Sequence, residues 1–152
     1  MYDPARGFPM VVPYLRYQDP TVGIGWYTDV LGATEVLRLT LEDGQVGHAE
    51  FTLGSSVLSL GLALTPPPPT NPDENRLTIR QMTLVFVDDV DAVAQRVSVP
   101  GGSILEPPTD QPWGLRQAVV RDPEGYLWEI SQHIRDVAPS EWGADLTGSL
   151  PG

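Results

Sequence analysis

Apolar positions recur along this chain with two periods, and the switches between them mark its elements. Residues 10–17 (MVVPYLRY) are rich in β-formers and predict a strand, with Pro13 marking an edge or an irregularity. Asp19-Pro20 supplies a helix N-cap and first helical residue. Val22, Trp26, Tyr27, Val30 and Leu31 then fall on one helical face, and Gly32 stops the helix. Gly23 and Gly25 weaken its first turn. Strands follow at residues 34–41, 46–53 and 57–64, joined by Glu42-Asp43-Gly44 and by Gly54-Ser55-Ser56.

Residues 65–76 (TPPPPTNPDENR) break the pattern, because four consecutive prolines prefer polyproline II and cannot form an interior strand. A proline-recognition motif would need flanking support that is missing, so the segment reads as a connector. Beyond it the order repeats. A strand is predicted over residues 79–87, then a helix opened by Asp88-Asp89-Val90-Asp91, whose carboxylates suit the positive end of the helix dipole. Val90, Val93, Ala94 and Val97 form its apolar side, Pro100-Gly101-Gly102 ends it, and a short strand lies near residues 103–106. Residues 115–121 are extended, Asp122-Pro123-Glu124-Gly125 is turn chemistry, and residues 126–131 alternate. Tyr126, Trp128 and Ile130 face one side there; Leu127, Glu129 and Ser131 face the other. The chain is therefore α+β, with two βαβββ modules. An arm (1–9), a first module (10–64), a proline-rich linker (65–78), a second module (79–132) and a tail (133–152) follow in order. The tail is expected to cover a surface through Trp142 and Leu146.

Composition narrows the partners. At 152 residues with 41% hydrophobic and 19% charged content, the chain can bury a sizeable core. The net charge of −11 argues against nucleic acid, whose phosphates need a basic surface. It is compatible with cationic ligands, although solubility explains it equally well. Cysteine is absent, which removes disulfides, Cys-based zinc sites and Cys nucleophiles. No apolar run approaches the roughly 20 residues that span a bilayer, and the start lacks a signal-peptide apolar region. A cytoplasmic protein with no membrane partner is the expectation.

Candidate chemistry concentrates around Glu129. Its carboxylate can accept from a polar or cationic ligand, act as a general base if burial raises its pKa, or pair with an arginine such as Arg116 or Arg121. Trp113, Trp128, Tyr14 and Phe86 are candidates for an aromatic cleft; core packing is the plainer reading, above all for Trp128 and Phe86 inside strands. Trp113, in a loop between Pro112 and Gly114, is the best stacking candidate. His48 and Glu50, two apart on one strand, share a face. They can be two metal ligands, a base and its orienter, or a hydrogen-bonded pair on an open sheet face. His133 is expected to be an exposed strand end. There is no Gly-x-Ser-x-Gly elbow and no phosphate loop, and Ser55-Ser56 sits in a turn without a base.

Four stretches in this order, WYTDVLGATE (26–35), GHAEFTLGSSVLSL (47–60), VDDVDAVAQRV (87–97) and WGLRQAVVRDPEGYLWEI (113–130), resemble the vicinal oxygen chelate superfamily. That superfamily contains glyoxalase I, bleomycin-resistance proteins and extradiol dioxygenases. The resemblance implies curved, cleft-enclosing mixed sheets with helices outside, two half-barrels pairing within a chain or across a dimer. It implies metal ligands near Val12, at Ser59, at Met82 (or Gln81 if the register slips by one) and at Glu129. Only Glu129 is a good ligand type, and a single carboxylate binds metal weakly. The resemblance is thus nearest to the metal-free, bleomycin-resistance-like members. It implies a homodimeric protein that sequesters a drug-like or metabolite small molecule, without a cofactor, and a role in antibiotic resistance. Ligand contacts would come from Trp113, Glu129, Arg116, Tyr14, His48, Glu50, Ser59 and Met82. The alternative is a lyase, isomerase or dioxygenase of the same fold. It would use Glu129 as catalytic acid/base, or as a ligand to a divalent metal held with His48 and Glu50.

Overall fold

The computed structural model describes residues 8–150, so most of the expected arm, residues 1–7, lies outside the described residues. Strand β1 (Tyr14–Tyr17) leads into helix α1 (Pro20–Gly25). Asp19 caps that helix, its carboxylate accepting from Thr21 N–H, and Pro20 sits at its first turn. The helix then widens over Trp26–Val30 into a π turn, in which Leu31 N–H donates to the Trp26 carbonyl at 3.1 Å. Gly32, with φ +79°, ends it. Strands β2 (Thr34–Thr40), β3 (Val46–Leu53) and β4 (Ser56–Leu62) complete the first module. The second contains β5 (Thr83–Phe86), α2 (Val90–Arg96, capped by Asp89), β6 (Ser103–Asp110), β7 (Leu115–Arg121) and β8 (Leu127–His133). A short 3-10 turn, Pro139–Trp142, lies in the tail.

Each module forms one four-stranded mixed sheet, ordered β1-β4-β3-β2 and β5-β8-β7-β6. β1 runs parallel to β4 and β5 parallel to β8, while the hairpins are antiparallel. The two-module reading of the sequence is therefore the observed fold, with three adjustments at its seams. β1 begins at Tyr14 rather than residue 10, because Pro13 interrupts the run. β5 begins at Thr83 rather than residue 79, because Thr78 and Ile79 donate their N–H groups back to the Asn75 carbonyl in a turn. β6 runs on through Pro107 and Pro108 to Asp110. It is an edge strand with register shifts, so the missing proline N–H groups break no inner ladder.

One hydrophobic core serves both modules. Trp26, Tyr27 and Val30 of the first helix pack on Ala49, Phe51, Leu58 and Leu60 of the first sheet. Val90, Val93 and Val97 belong to the same cluster, with Val85, Ala118, Val120, Trp128 and Ile130 of the second sheet. Trp128 joins the halves: its ring centroid lies 6.4 Å from that of Trp26 and 5.8 Å from that of Tyr27. Burying an aromatic ring of this kind stabilises by about 2–3 kcal/mol. Gly23 lets the first helix close on β1, since a Cβ there would stand 2.8 Å from the Tyr17 ring.

The modules are also bonded through the turn after β7. The buried Asp122 carboxylate accepts from Tyr17 O–H at 2.6 Å, Trp128 Nε1–H at 3.3 Å, and the N–H groups of Glu124 and Tyr126 at 3.0 Å. Burial pushes the Asp122 carboxyl above its ordinary range despite these donors, and burial likewise drives the Tyr17 and Tyr27 phenols upward. With the helices gathered on the core side, each sheet turns its other face away from the core.

Candidate functional site

Strand alternation decides which side chains reach those outward faces. In the first sheet, register places Tyr14 and Glu50 on either side of Ser59, and His48 beside Gly61. Gly61 leaves room for the Tyr14 side chain to lie across β4, and the Tyr14 ring meets the His48 ring edge-on at 5.5 Å. His48 Nε2 is 2.9 Å from Glu50 Oε1. Glu50 is buried, and its other oxygen, Oε2, has no hydrogen-bond partner among the described residues. The sequence-predicted group Tyr14, His48, Glu50 and Ser59 is thus brought together.

In the second sheet, Glu129 is flanked by Leu84 and Val119, and Ser131 by Phe86 and Gln117. Gln117 Nε2–H donates to Glu129 Oε1 at 2.7 Å and to Ser131 Oγ at 2.8 Å; its own Oε1 accepts from Trp113 Nε1–H at 3.1 Å. The other Glu129 oxygen accepts from Arg76, reaching over from the proline-rich linker. Arg76 also donates through Nε to Glu106 Oε2 at 2.9 Å. Burial alone would depress the Arg76 guanidinium, but Glu106 and Glu129 more than offset this and hold it above its ordinary value. Glu74 pairs with Arg121 at 2.7 Å, so the linker is strapped to the second sheet at two points.

Several expectations are corrected. The arginine paired with Glu129 is Arg76, not Arg116 or Arg121. Arg116 leaves the site altogether: alternation along β7 turns it with Ala118 and Val120 to the helix side. There it forks onto Asp91 at 2.8 and 2.9 Å, holding that carboxyl below its ordinary value, and also reaches Asp110. Phe86 is 58% exposed, not core. Trp113 is half-buried, and Trp142 of the tail meets it edge-on at 5.8 Å; Leu146, by contrast, is 80% exposed. Met82 is half-buried in the segment before β5, and Val12 half-buried before β1. His133 is exposed and pairs with Asp136 at 2.8 Å.

The donor set does not fit a divalent metal. Val12, Ser59 and Met82 offer a methyl, a hydroxyl and a thioether, and the one carboxylate, Glu129, has both oxygens engaged. Glu129 lies on the second sheet and His48–Glu50 on the first. Among the described residues no three or more His, Cys, Asp or Glu converge as a metal group.

A cavity of about 880 Å³ is lined by none of Tyr14, His48, Glu50, Ser59, Gln117 and Glu129. It runs between the free edge of β5, the start of α2 and the β3–β4 turn, with Val11, Pro13, Leu31, Val57, Phe86 and Ala92 among its walls. A second, of about 310 Å³, lies beneath the proline strap against Tyr126 and Arg121. The polar residues lining the 880 Å³ cavity are Ser55, Ser56, Thr83, Asp88, Asp89 and Arg96.

No helix among the described residues is long and apolar enough to cross a membrane. The profile of the Glyoxalase/Bleomycin resistance protein/Dioxygenase superfamily matches residues 8–130. An uncharacterised protein of Mycobacterium bovis is 29% identical over 153 aligned residues, covering 95% of this chain and 96% of its own. The crystal structure of TioX from Micromonospora sp. ML1 is 32% identical, with TM-score 0.62, over 83% of this chain and 99% of that one. A glyoxalase-related enzyme from Fulvimarina pelagi shares the fold at 21% identity, with TM-score 0.60, over 82% and 87%.

Proposed function

The chain belongs to the Glyoxalase/Bleomycin resistance protein/Dioxygenase superfamily, and on that basis we propose that it sequesters a drug-like or metabolite small molecule without transforming it and without a metal. The observation that carries this is the state of Glu129. A general base or a metal ligand has to present an oxygen to its substrate or ion; each Glu129 oxygen already accepts, one from Gln117 and the other from the Arg76 guanidinium, whose positive charge repels a metal ion at the same carboxylate. The outward faces nevertheless keep the features of a binding surface: Tyr14, Trp113, His48, Glu50 and Ser59, with Glu129 held in place behind Arg76.

The same faces support a homodimer. Tyr14, Leu39, Leu84 and Phe86 share them and are 46%, 53%, 49% and 58% exposed. Large apolar side chains gathered in this way fit a surface completed by a second chain and a ligand between them. A cytoplasmic setting and, for a drug ligand, a part in antibiotic resistance belong to the same proposal. A thermal-shift screen of aromatic and cationic compounds tests it. A subset should raise the melting temperature, and Trp113→Ala should weaken that response. Stabilisation by none of them would overturn the reading. Light scattering should give twice the chain mass, and a strict monomer would remove the dimer.

A further inference from the structure

The two modules treat a buried carboxylate in parallel ways, and the parallel breaks at one atom. Register equates Tyr14, Ser59 and Glu50 of the first sheet with Leu84, Glu129 and Val119 of the second. It likewise equates His48 and Gly61 with Gln117 and Ser131. The second module carries its carboxylate on β8; the first carries it one strand over, on β3. In both, the residue at the His48/Gln117 position contacts one oxygen through a side-chain nitrogen, at 2.9 Å and 2.7 Å.

The other oxygen is where they differ. Glu129 Oε2 receives the Arg76 guanidinium. Glu50 Oε2 receives no donor among the described residues, although the Glu50 side chain is only 8% exposed. A buried carboxylate oxygen without a donor is costly, and a charge-assisted N–H is the partner that removes most of the cost. The linker that delivers Arg76 to the second sheet brings no such group to the first.

Resting on the small-molecule reading above, we propose that Glu50 Oε2 accepts a hydrogen bond from a cationic nitrogen of the ligand, an ammonium, amidinium or guanidinium, as Glu129 Oε2 accepts one from Arg76. The surroundings suit such a group. Tyr14 presents an aromatic ring beside His48, and the Arg16 guanidinium carbon already stands 5.3 Å from that ring's centroid, within cation–π range. A net charge of −11 adds long-range attraction for cations. Tyr14, nearly half-exposed at the first residue of its strand, shares this face with His48 and Glu50.

Carbon-13 titration of the assigned Glu50 side-chain carboxyl, with benzamidine and its neutral isostere benzamide as probes, tests this. Benzamidinium should shift the resonance saturably and bind at least about tenfold more tightly than benzamide, a difference of ~1.4 kcal/mol. Glu50→Gln should abolish that preference, while Asp136→Asn, a fully exposed carboxylate elsewhere, should leave it unchanged. Equal affinity for the two probes, a charge preference that survives in Glu50→Gln, or no movement of the Glu50 resonance up to the probe's solubility limit would each overturn the proposal. The wild-type resonance reports even if Glu50→Gln fails to fold. Neutral compounds that bind without touching Glu50 would remove this subsite and leave small-molecule binding standing.

Discussion

Replacing Arg76 with alanine should destabilise the protein by ~3 kcal/mol, far more than a surface arginine would. The magnitude follows from what the change leaves behind. Glu129 keeps its bond from Gln117 but loses the Arg76 cation, and its side chain is just 9% exposed. Stranding one member of a buried pair costs about 3–5 kcal/mol, and the lower end applies because the Arg76 side chain is 26% exposed. The Glu106 contact adds little, since that carboxylate is 33% exposed and an exposed pair contributes about 0–1 kcal/mol. If the cost is a stranded charge, neutralising the charge should recover part of it. Adding Glu129→Gln to Arg76→Ala should restore ~1–2 kcal/mol, because an amide can still accept from Gln117 and no charge stays buried. Urea unfolding followed by tryptophan fluorescence measures both values. An Arg76→Ala loss below about 0.5 kcal/mol, in the range of ordinary surface substitutions, would refute the reasoning. So would a double variant less stable than Arg76→Ala alone.

Asp122→Asn should cost ~2–3 kcal/mol in mild acid, because the new amide N–H₂ faces donors rather than acceptors. That deficit should narrow as pH rises. Burial raises the Asp122 carboxyl in the folded state, so the native protein keeps this proton after the unfolded chain has lost it. The wild type therefore loses stability as pH climbs from the ordinary carboxylate value through the raised one, and the asparagine variant does not. Denaturation across that window checks the sign, and a deficit that widens with pH would contradict it. Gly102→Ala should lose about 3 kcal/mol by thermal or urea unfolding. Its Cβ would stand 2.7 Å from the Val97 carbonyl and 2.8 Å from the Arg121 carbonyl, and neither backbone can yield; a neutral result would mean that the joint between helix and sheet is loose. Elemental analysis of protein purified without chelator should find divalent metal well below one ion per chain. Tightly held metal near stoichiometry that disappears in Glu129→Ala would contradict the donor-set argument.

The elements were legible in the sequence where local chemistry decides them. Asp19-Pro20 caps its helix as expected, the Asp88-Asp89-Val90-Asp91 run opens the second helix with Asp89 as its cap, and residues 46–53 and 115–121 are strands with the expected bounds. The alternation from Tyr126 onward does send Trp128 and Ile130 into the core and Glu129 to the opposite face. Gln117 was within reach as well. Counting back across the turn at Asp122-Pro123-Glu124-Gly125 sets Val119 opposite Glu129 and Gln117 opposite Ser131, so hairpin register alone identifies the residue that grips the carboxylate. Arg76 was not. Its position depends on how a proline-rich strap crosses a sheet 53 residues away in sequence, and no periodicity encodes that contact. Arg116 misled for the complementary reason: it has the right charge on the right strand, but alternation points it at Asp91. The unpartnered oxygen of Glu50 was equally invisible, since sequence names a carboxylate without saying which of its oxygens meets a donor.

The claim that this protein holds a small molecule rather than converting it is tested most directly by mass balance. The protein is incubated with a defined panel of drug-like and metabolite compounds, separated from free compound, denatured, and both fractions are analysed by liquid chromatography and mass spectrometry. The account predicts that at least one compound co-elutes in near-stoichiometric amount, is released chemically unchanged, and leaves no product in the free fraction. Product accumulating in excess of protein, formed by wild type and lost in Glu129→Gln, would contradict it.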